Sequence, residues 1–107
     1  MKQKESWDFQ DGSAEKWVEN AKQGDSEAFG RIYSLFFKKI YCYLYYRCLH
    51  RETAEDLTSQ VFLRALEKLS TFRAGEGTFF AWMYGIAHNA LVDFYRSRVR
   101  TLDVATT

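Results

Sequence analysis

Proline is missing from all 107 residues of this chain. A chain rich in loops or strand edges uses proline, whereas a mostly helical chain avoids it, because the ring removes a backbone donor and clashes with the preceding turn. Cysteine is nearly as scarce: Cys42 and Cys48 lie in one apolar helical stretch, on different faces. An intrahelical disulfide is disfavoured by that geometry, so both read as buried free thiols of a reducing cytoplasm. Histidine occurs twice, as His50 and His88. With the two cysteines these give no zinc-ligand spacing, and no metal or cofactor is expected. A glycine-rich phosphate loop and a nucleophile motif are both missing. The adjacent acids Glu55 and Asp56 stand at a helix start, where dipole and capping account for them better than acid–base chemistry does. An enzyme is therefore not expected. No signal peptide or membrane-length apolar run is visible, which predicts a cytoplasmic protein without membrane insertion.

The length suits one domain with a modest core. Charged residues make up 27%, which does not suggest disorder. Aromatics reach 18%, enough to fill a core and leave rings for a partner. Net charge is only +1, so the chain is no generic polyanion binder, but the charge is uneven. Asp25 to Arg51 carries five basic and two acidic residues, Glu52 to Phe72 two and four, and Arg73 to Arg100 four and two. Such asymmetry implies one surface for an acidic partner and another for a basic one.

Periodicity divides the chain into helices. Residues 1–12 read as a polar tail, although Trp7 and Phe9 could dock. Ala14, Trp17, Val18 and Ala21 build a first stripe that Gly24 ends. Asp25 is placed to cap a second helix, in which Phe29, Ile32, Tyr33, Phe36, Phe37, Ile40, Tyr41 and Leu44 alternate steps of three and one. Leu35, Cys42, Tyr43 and Tyr46 fall off that stripe, which marks this helix as central. Thr53 and Asp56 resemble a capping box for a third stripe of Ala54, Leu57, Thr58, Val61, Phe62, Ala65, Leu66 and Leu69. Ser70 to Thr78, with Gly75 and Gly77, reads as a loop. Phe79, Met83, Ile86, Ala90 and Phe94 face one side of a last helix, expected to fray after Arg100. The prediction is all-α: a compact bundle of about four helices over residues 13–100, with a C-terminal tail at 101–107.

Function must be read from what the core stripes leave over. On the third helix this is Asp56, Ser59, Gln60, Leu63, Arg64 and Glu67, a polar face with one leucine. That is how a helix-docking interface looks, and a singly exposed leucine is also common. On the last helix it is Phe80, Tyr84, His88 and Tyr95, with Asn89 and Arg96 on a flank. Rings and hydrogen-bonding groups beside a basic end suit single-stranded nucleic acid, where each stacked base is worth roughly 1–3 kcal/mol. The same rings could instead pack against the first helix or the tail.

Two stretches carry a resemblance. Glu55-Asp56-Leu57-Thr58-Ser59-Gln60-Val61-Phe62-Leu63-Arg64-Ala65 is followed by Phe72-Arg73, then by Thr78-Phe79-Phe80-Ala81-Trp82-Met83-Tyr84-Gly85-Ile86-Ala87-His88-Asn89. Upstream, Ala21-Lys22-Gln23-Gly24-Asp25-Ser26-Glu27-Ala28-Phe29 adds a family-like opening. Together they resemble region 2 of a bacterial extracytoplasmic-function (ECF) sigma factor, the subunit that carries RNA polymerase to promoters. The resemblance implies docking on the coiled coil of the core RNA polymerase β′ subunit through Asp56, Ser59, Gln60, Leu63 and Arg64. It further implies capture of the non-template strand of the −10 promoter element by Ser70, Thr71, Phe72, Arg73, Thr78, Phe80, Tyr84, His88, Asn89 and Arg96. An anti-sigma factor is an expected partner, and the family would continue through a linker into a −35-binding domain, which makes this chain look like a fragment.

The chain departs from the family pattern in places. Ser59-Gln60 stands where Gln-Glu is common. Arginines common after the loop become Phe80, Gly85 and His88, and each lost arginine weakens phosphate attraction. These departures, with the near-neutral charge, keep an alternative open: a helical protein-interaction module of the same fold with weak or no DNA binding.

Overall fold

The computed structural model describes residues 13–106, with side chains from Ala14 to Arg100; the expected tail at 1–12, with Trp7 and Phe9, lies outside them. Among the described residues four α-helices follow in order: α1 (Ser13–Lys22), α2 (Ser26–Cys48), α3 (Arg51–Glu67) and α4 (Phe79–Thr106). Two 3-10 turns, Leu69–Thr71 and Ala74–Glu76, link α3 to α4. The all-helical expectation holds, and among the described residues no helix is long and apolar enough to cross a membrane.

The turn between α1 and α2 follows from two residues. Gly24 takes φ +98, a left-handed conformation that side chains resist. It lets the Asp25 N–H reach the Asn20 carbonyl (3.2 Å) and its own N–H reach that of Ala21 (3.0 Å), which is a Schellman ending. The Asp25 carboxylate then accepts the Glu27 and Ala28 N–H groups at 3.0 and 3.2 Å, capping α2 as expected.

α2 is the central helix and packs on the other three. Its buried row is Ala28, Ile32, Phe36, Ile40 and Leu44, a run of steps of four. α1 contributes Ala14, Val18 and Ala21 to the same core, α3 contributes Ala54, Leu57, Val61, Phe62 and Ala65, and α4 contributes Phe79, Met83, Ala87, Ala90 and Leu91. Thr58 is fully buried, but its hydroxyl donates to the Ala54 carbonyl at 2.7 Å, so the core holds no unmet donor there.

Four expectations change. The start of α3 is capped by His50, not Thr53. Leu49 turns left-handed at φ 55, and the extended His50 accepts the Thr53 N–H on Nδ1 at 3.2 Å, with the Thr53 hydroxyl 2.9 Å away. Leu66 is 49% exposed, because the α3 stripe passes from Phe62 to Ala65 and Leu69 and leaves it on the rim. Cys42 and Cys48 are free but only half-buried. α4 continues to Thr106 rather than fraying near Arg100.

Replacing Asp25 with Ala should destabilise the domain by about 1 kcal/mol, lowering the melting temperature by roughly 4–8 °C for a chain of this size. A circular-dichroism melt reads it, and an unchanged melt would remove the cap from the account.

Candidate functional site

The segment between α3 and α4 is built on an aromatic anchor. Phe72 is buried, with its ring 5.2 Å edge-on to Phe79 and 5.5 Å from Trp82; Phe79 and Trp82 lie 5.3 Å apart. The Phe72 carbonyl accepts from Lys22 Nζ of α1 at 2.9 Å. Gly77, at φ +125, reverses the chain into Thr78, whose hydroxyl accepts the Ala81 N–H at 3.1 Å and caps α4. Pinned at both ends, the segment opens a cleft of about 260 Å3 lined by Thr71, Phe72, Arg73, Glu76, Thr78, Ala81 and Trp82. That lies just under the roughly 300–1,000 Å3 of drug-sized pockets, a volume suited to one flat heterocycle. Its lining residues include an indole, a guanidinium, a carboxylate and two hydroxyls.

From the cleft, the outward side of α4 runs through Ala81, Gly85, His88, Asn89 and Arg96, all exposed. A Cβ on Gly85 would meet no heavy atom within 4 Å, so its missing side chain leaves a shelf open to solvent and does not serve packing. Phe80 and Tyr84 flank this shelf but are half-buried against α2. Phe80 stacks on Phe36 (centroids 5.4 Å) and meets Tyr84 at 4.5 Å; Tyr84 meets Tyr43 at 4.8 Å. Tyr43 OH is 3.4 Å from His88 Nδ1, and Tyr95 OH donates to the Arg47 carbonyl at 2.5 Å. Phe80, Tyr84 and Tyr95 therefore engage α2, the central helix.

On α3, Asp56, Ser59, Gln60 and Leu63 form one exposed stripe, with Leu63 58% exposed. Beneath them Phe62 is buried and touches Tyr33 (4.7 Å) and Phe37 (6.5 Å) of α2. Leu66, a turn beyond Leu63, widens the apolar patch. Arg64 lies to one side, half-buried, with Nη2 3.5 Å from an Asp93 carboxylate oxygen of α4.

The sequence-predicted residues thus separate into groups. Thr71, Arg73 and Thr78 meet in the cleft, with Ser70 exposed beside it. His88, Asn89 and Arg96 lie along the shelf. Phe72 lines the cleft too, but its buried ring is held between Phe79 and Trp82 and anchors the loop. Periodicity missed Trp82, which lies one turn beyond Thr78 and belongs to both core and cleft. It also missed Tyr43 and Arg47, whose spacing of four placed them together on α2 but could not show which helix they would meet.

The model of sigma-70 region 2 matches residues 32–101, well over half the chain. The chain belongs to this family and is a sigma factor domain of transcription initiation, of ECF type. It is 44% identical over 89 residues to the ECF RNA polymerase sigma factor BldN of Streptomyces coelicolor, covering 83% of this chain and 34% of that protein. It is 38% identical over 69 residues to the RNA polymerase sigma factor YlaC of Bacillus subtilis, covering 64% of this chain and 39% of that one. A solved structure of an RsbN–BldN complex superposes with a TM-score of 0.69 at 45% identity, over 75% of this chain and 58% of that one. The chain therefore spans little more than a third of these curated relatives' length.

Burial in the Phe80–Tyr43 cluster pushes the Tyr84 phenol above the ordinary 10.0; Arg47 pulls it down, and Tyr43 and Cys42 add to the rise. A phenol whose ionisation is raised by folding favours the folded state below pH 10.0, and that contribution is lost as pH rises through the raised value. An alkaline titration followed by tyrosinate absorbance should therefore lose a late-ionising phenol in Tyr84→Phe. Ionisation of Tyr84 alongside free tyrosine would contradict the packing.

Proposed function

We propose that this domain docks on the β′ coiled coil of core RNA polymerase through Asp56, Ser59, Gln60, Leu63 and Arg64, and holds melted −10 promoter DNA open by capturing its non-template strand. The observation that carries the reading is the pinned cleft opening onto an unobstructed α4 shelf. One extruded base enters beside Trp82, Arg73 and Thr78, and neighbouring nucleotides follow Ala81, Gly85 and Asn89 toward Arg96. Extruding a base costs a few kcal/mol, which stacking and hydrogen bonds in the cleft offset. The process is binding alone: energy of single-strand contact, with no bond broken, keeps the duplex apart.

The α3 face supplies the other half. Two exposed leucines, Leu63 and Leu66, within a polar rim suit a helical partner. An anti-sigma factor covering this face would compete with polymerase, and the complex of the relative BldN with RsbN is in keeping with a protein partner. The whole would work in the cytoplasm, where polymerase is, with residues 13–100 as the region 2 unit and a −35-reading domain supplied beyond it. A second reading, a protein-interaction module with weak or no DNA binding, draws support from the engagement of Phe80 and Tyr84 by α2.

Fluorescence anisotropy of labelled −10 non-template oligonucleotides, titrated with this chain and the β′ coiled coil, separates the two. Asn89→Ala should flatten the preference among oligonucleotides without moving the melting temperature, because Asn89 is exposed. Coiled-coil binding with no oligonucleotide preference in the unchanged chain would leave only the second reading. Leu63→Ala should weaken the coiled-coil complex by about tenfold, on the order of 1–2 kcal/mol for a central apolar contact, again at unchanged stability; full affinity in that variant would remove α3 from the interface.

A further inference from the structure

α4 lacks arginines at Phe80, Gly85 and His88, yet the fold brings a cation toward His88 from another helix. Arg47, near the end of α2, lies with its guanidinium carbon 4.0 Å from the Tyr43 ring centroid, and its Nη1 donates to the Tyr43 carbonyl at 3.1 Å. Tyr43 in turn reaches His88 through its hydroxyl and Tyr84 through its ring. The Arg47 carbonyl is tied to α4 by Tyr95. This arginine therefore stands on the rim of the α4 shelf, beside His88.

We infer that Arg47 is a phosphate-holding residue of the single-strand surface, supplying from α2 a positive charge beside the part of α4 that has no lysine or arginine before Arg96. The inference rests on the single-strand half of the proposed function. Three observations support it. First, the side chain is already ordered on a ring, so little rotamer freedom is lost when it binds. Second, it is exposed, and among the described residues no carboxylate forms an ion pair with it; one face of the guanidinium and most of its N–H donors remain open. Third, the two helices that border the shelf carry few acids there. α2 carries no acid after Glu27, and between Phe79 and Arg100 α4 carries only Asp93, which pairs with Arg64 of α3. Arg47, His88 and Arg96 thus border the shelf with no acid of α2 near its end and with Asp93 of α4 already paired, which favours holding a polyanion's backbone.

The test measures affinity of the full 107-residue chain, with the β′ coiled coil present, for a short labelled single-stranded DNA of mixed sequence over a salt series. Loss of one phosphate contact should lower the slope of log K against log salt by about 0.7, equivalent to about fivefold in affinity at 0.1 M salt. R47Q is expected to show that loss equally for all base sequences, and R47K, which keeps the charge, to retain the slope. R31Q is the control: Arg31 lies over Trp17 at 5.1 Å, some four turns away at about 24 Å along the helix, and its loss should change nothing. Should R47Q prove less stable by circular dichroism, R47M keeps an apolar stem on the ring and gives the same comparison. Binding with an unaltered slope in the neutral variants overturns the inference while leaving the DNA reading standing. An unchanged chain that binds no single strand overturns both.

Discussion

The burial of one row of α2, from Ala28 through Ile32, Phe36 and Ile40 to Leu44, is the constraint under which everything else is arranged. A row with steps of four is narrow, and burying it on all sides takes three further helices, each of which has an apolar face of its own to cover in return. Phe36 shows how that constraint reaches the functional surface. Its ring is fully buried, and it receives Phe79 from inside and Phe80 from the flank. The rotation of α4 about its axis is set by those two contacts. That rotation in turn decides that Ala81, Gly85 and Asn89 face outward.

The order of the elements was legible because it rests on local chemistry. Gly24 and Asp25 mark a helix end and a helix start through backbone needs that hold in any surroundings, and the core stripes repeat at helical spacing. What was not legible depended on which neighbour a side chain would find. His50 displaced Thr53 as the α3 cap because Leu49 entered a left-handed turn, something a leucine does rarely and no periodicity announces. Leu66 has the spacing of a core residue and lies just past the edge of the covered arc. Phe72 belongs to a motif read as binding DNA, and its burial between Phe79 and Trp82 could not be read from that motif.

The candidate site was legible in the same uneven way. Local motif residues located the α3 face and the loop, and the structure lays Asp56, Ser59, Gln60 and Leu63 side by side. The contribution of α2 was hidden, since Tyr43 and Arg47 lie some forty positions before the residues they meet on α4. Substitutions in α4 that look like losses when that helix is read alone take another meaning once a neighbouring helix stands in the same space. A surface of this kind is composite, and its chemistry is a property of the pair.

The bond from Lys22 to the Phe72 carbonyl joins residues fifty positions apart. No residue of α1 lines the cleft, yet the last side chain of α1 holds the carbonyl of the residue that anchors it. For anyone trimming the domain, α1 is then a brace and not a dispensable leader. A deletion series that stopped at Ser26 would slacken the cleft and charge to α1 a loss that belongs to the loop it braces.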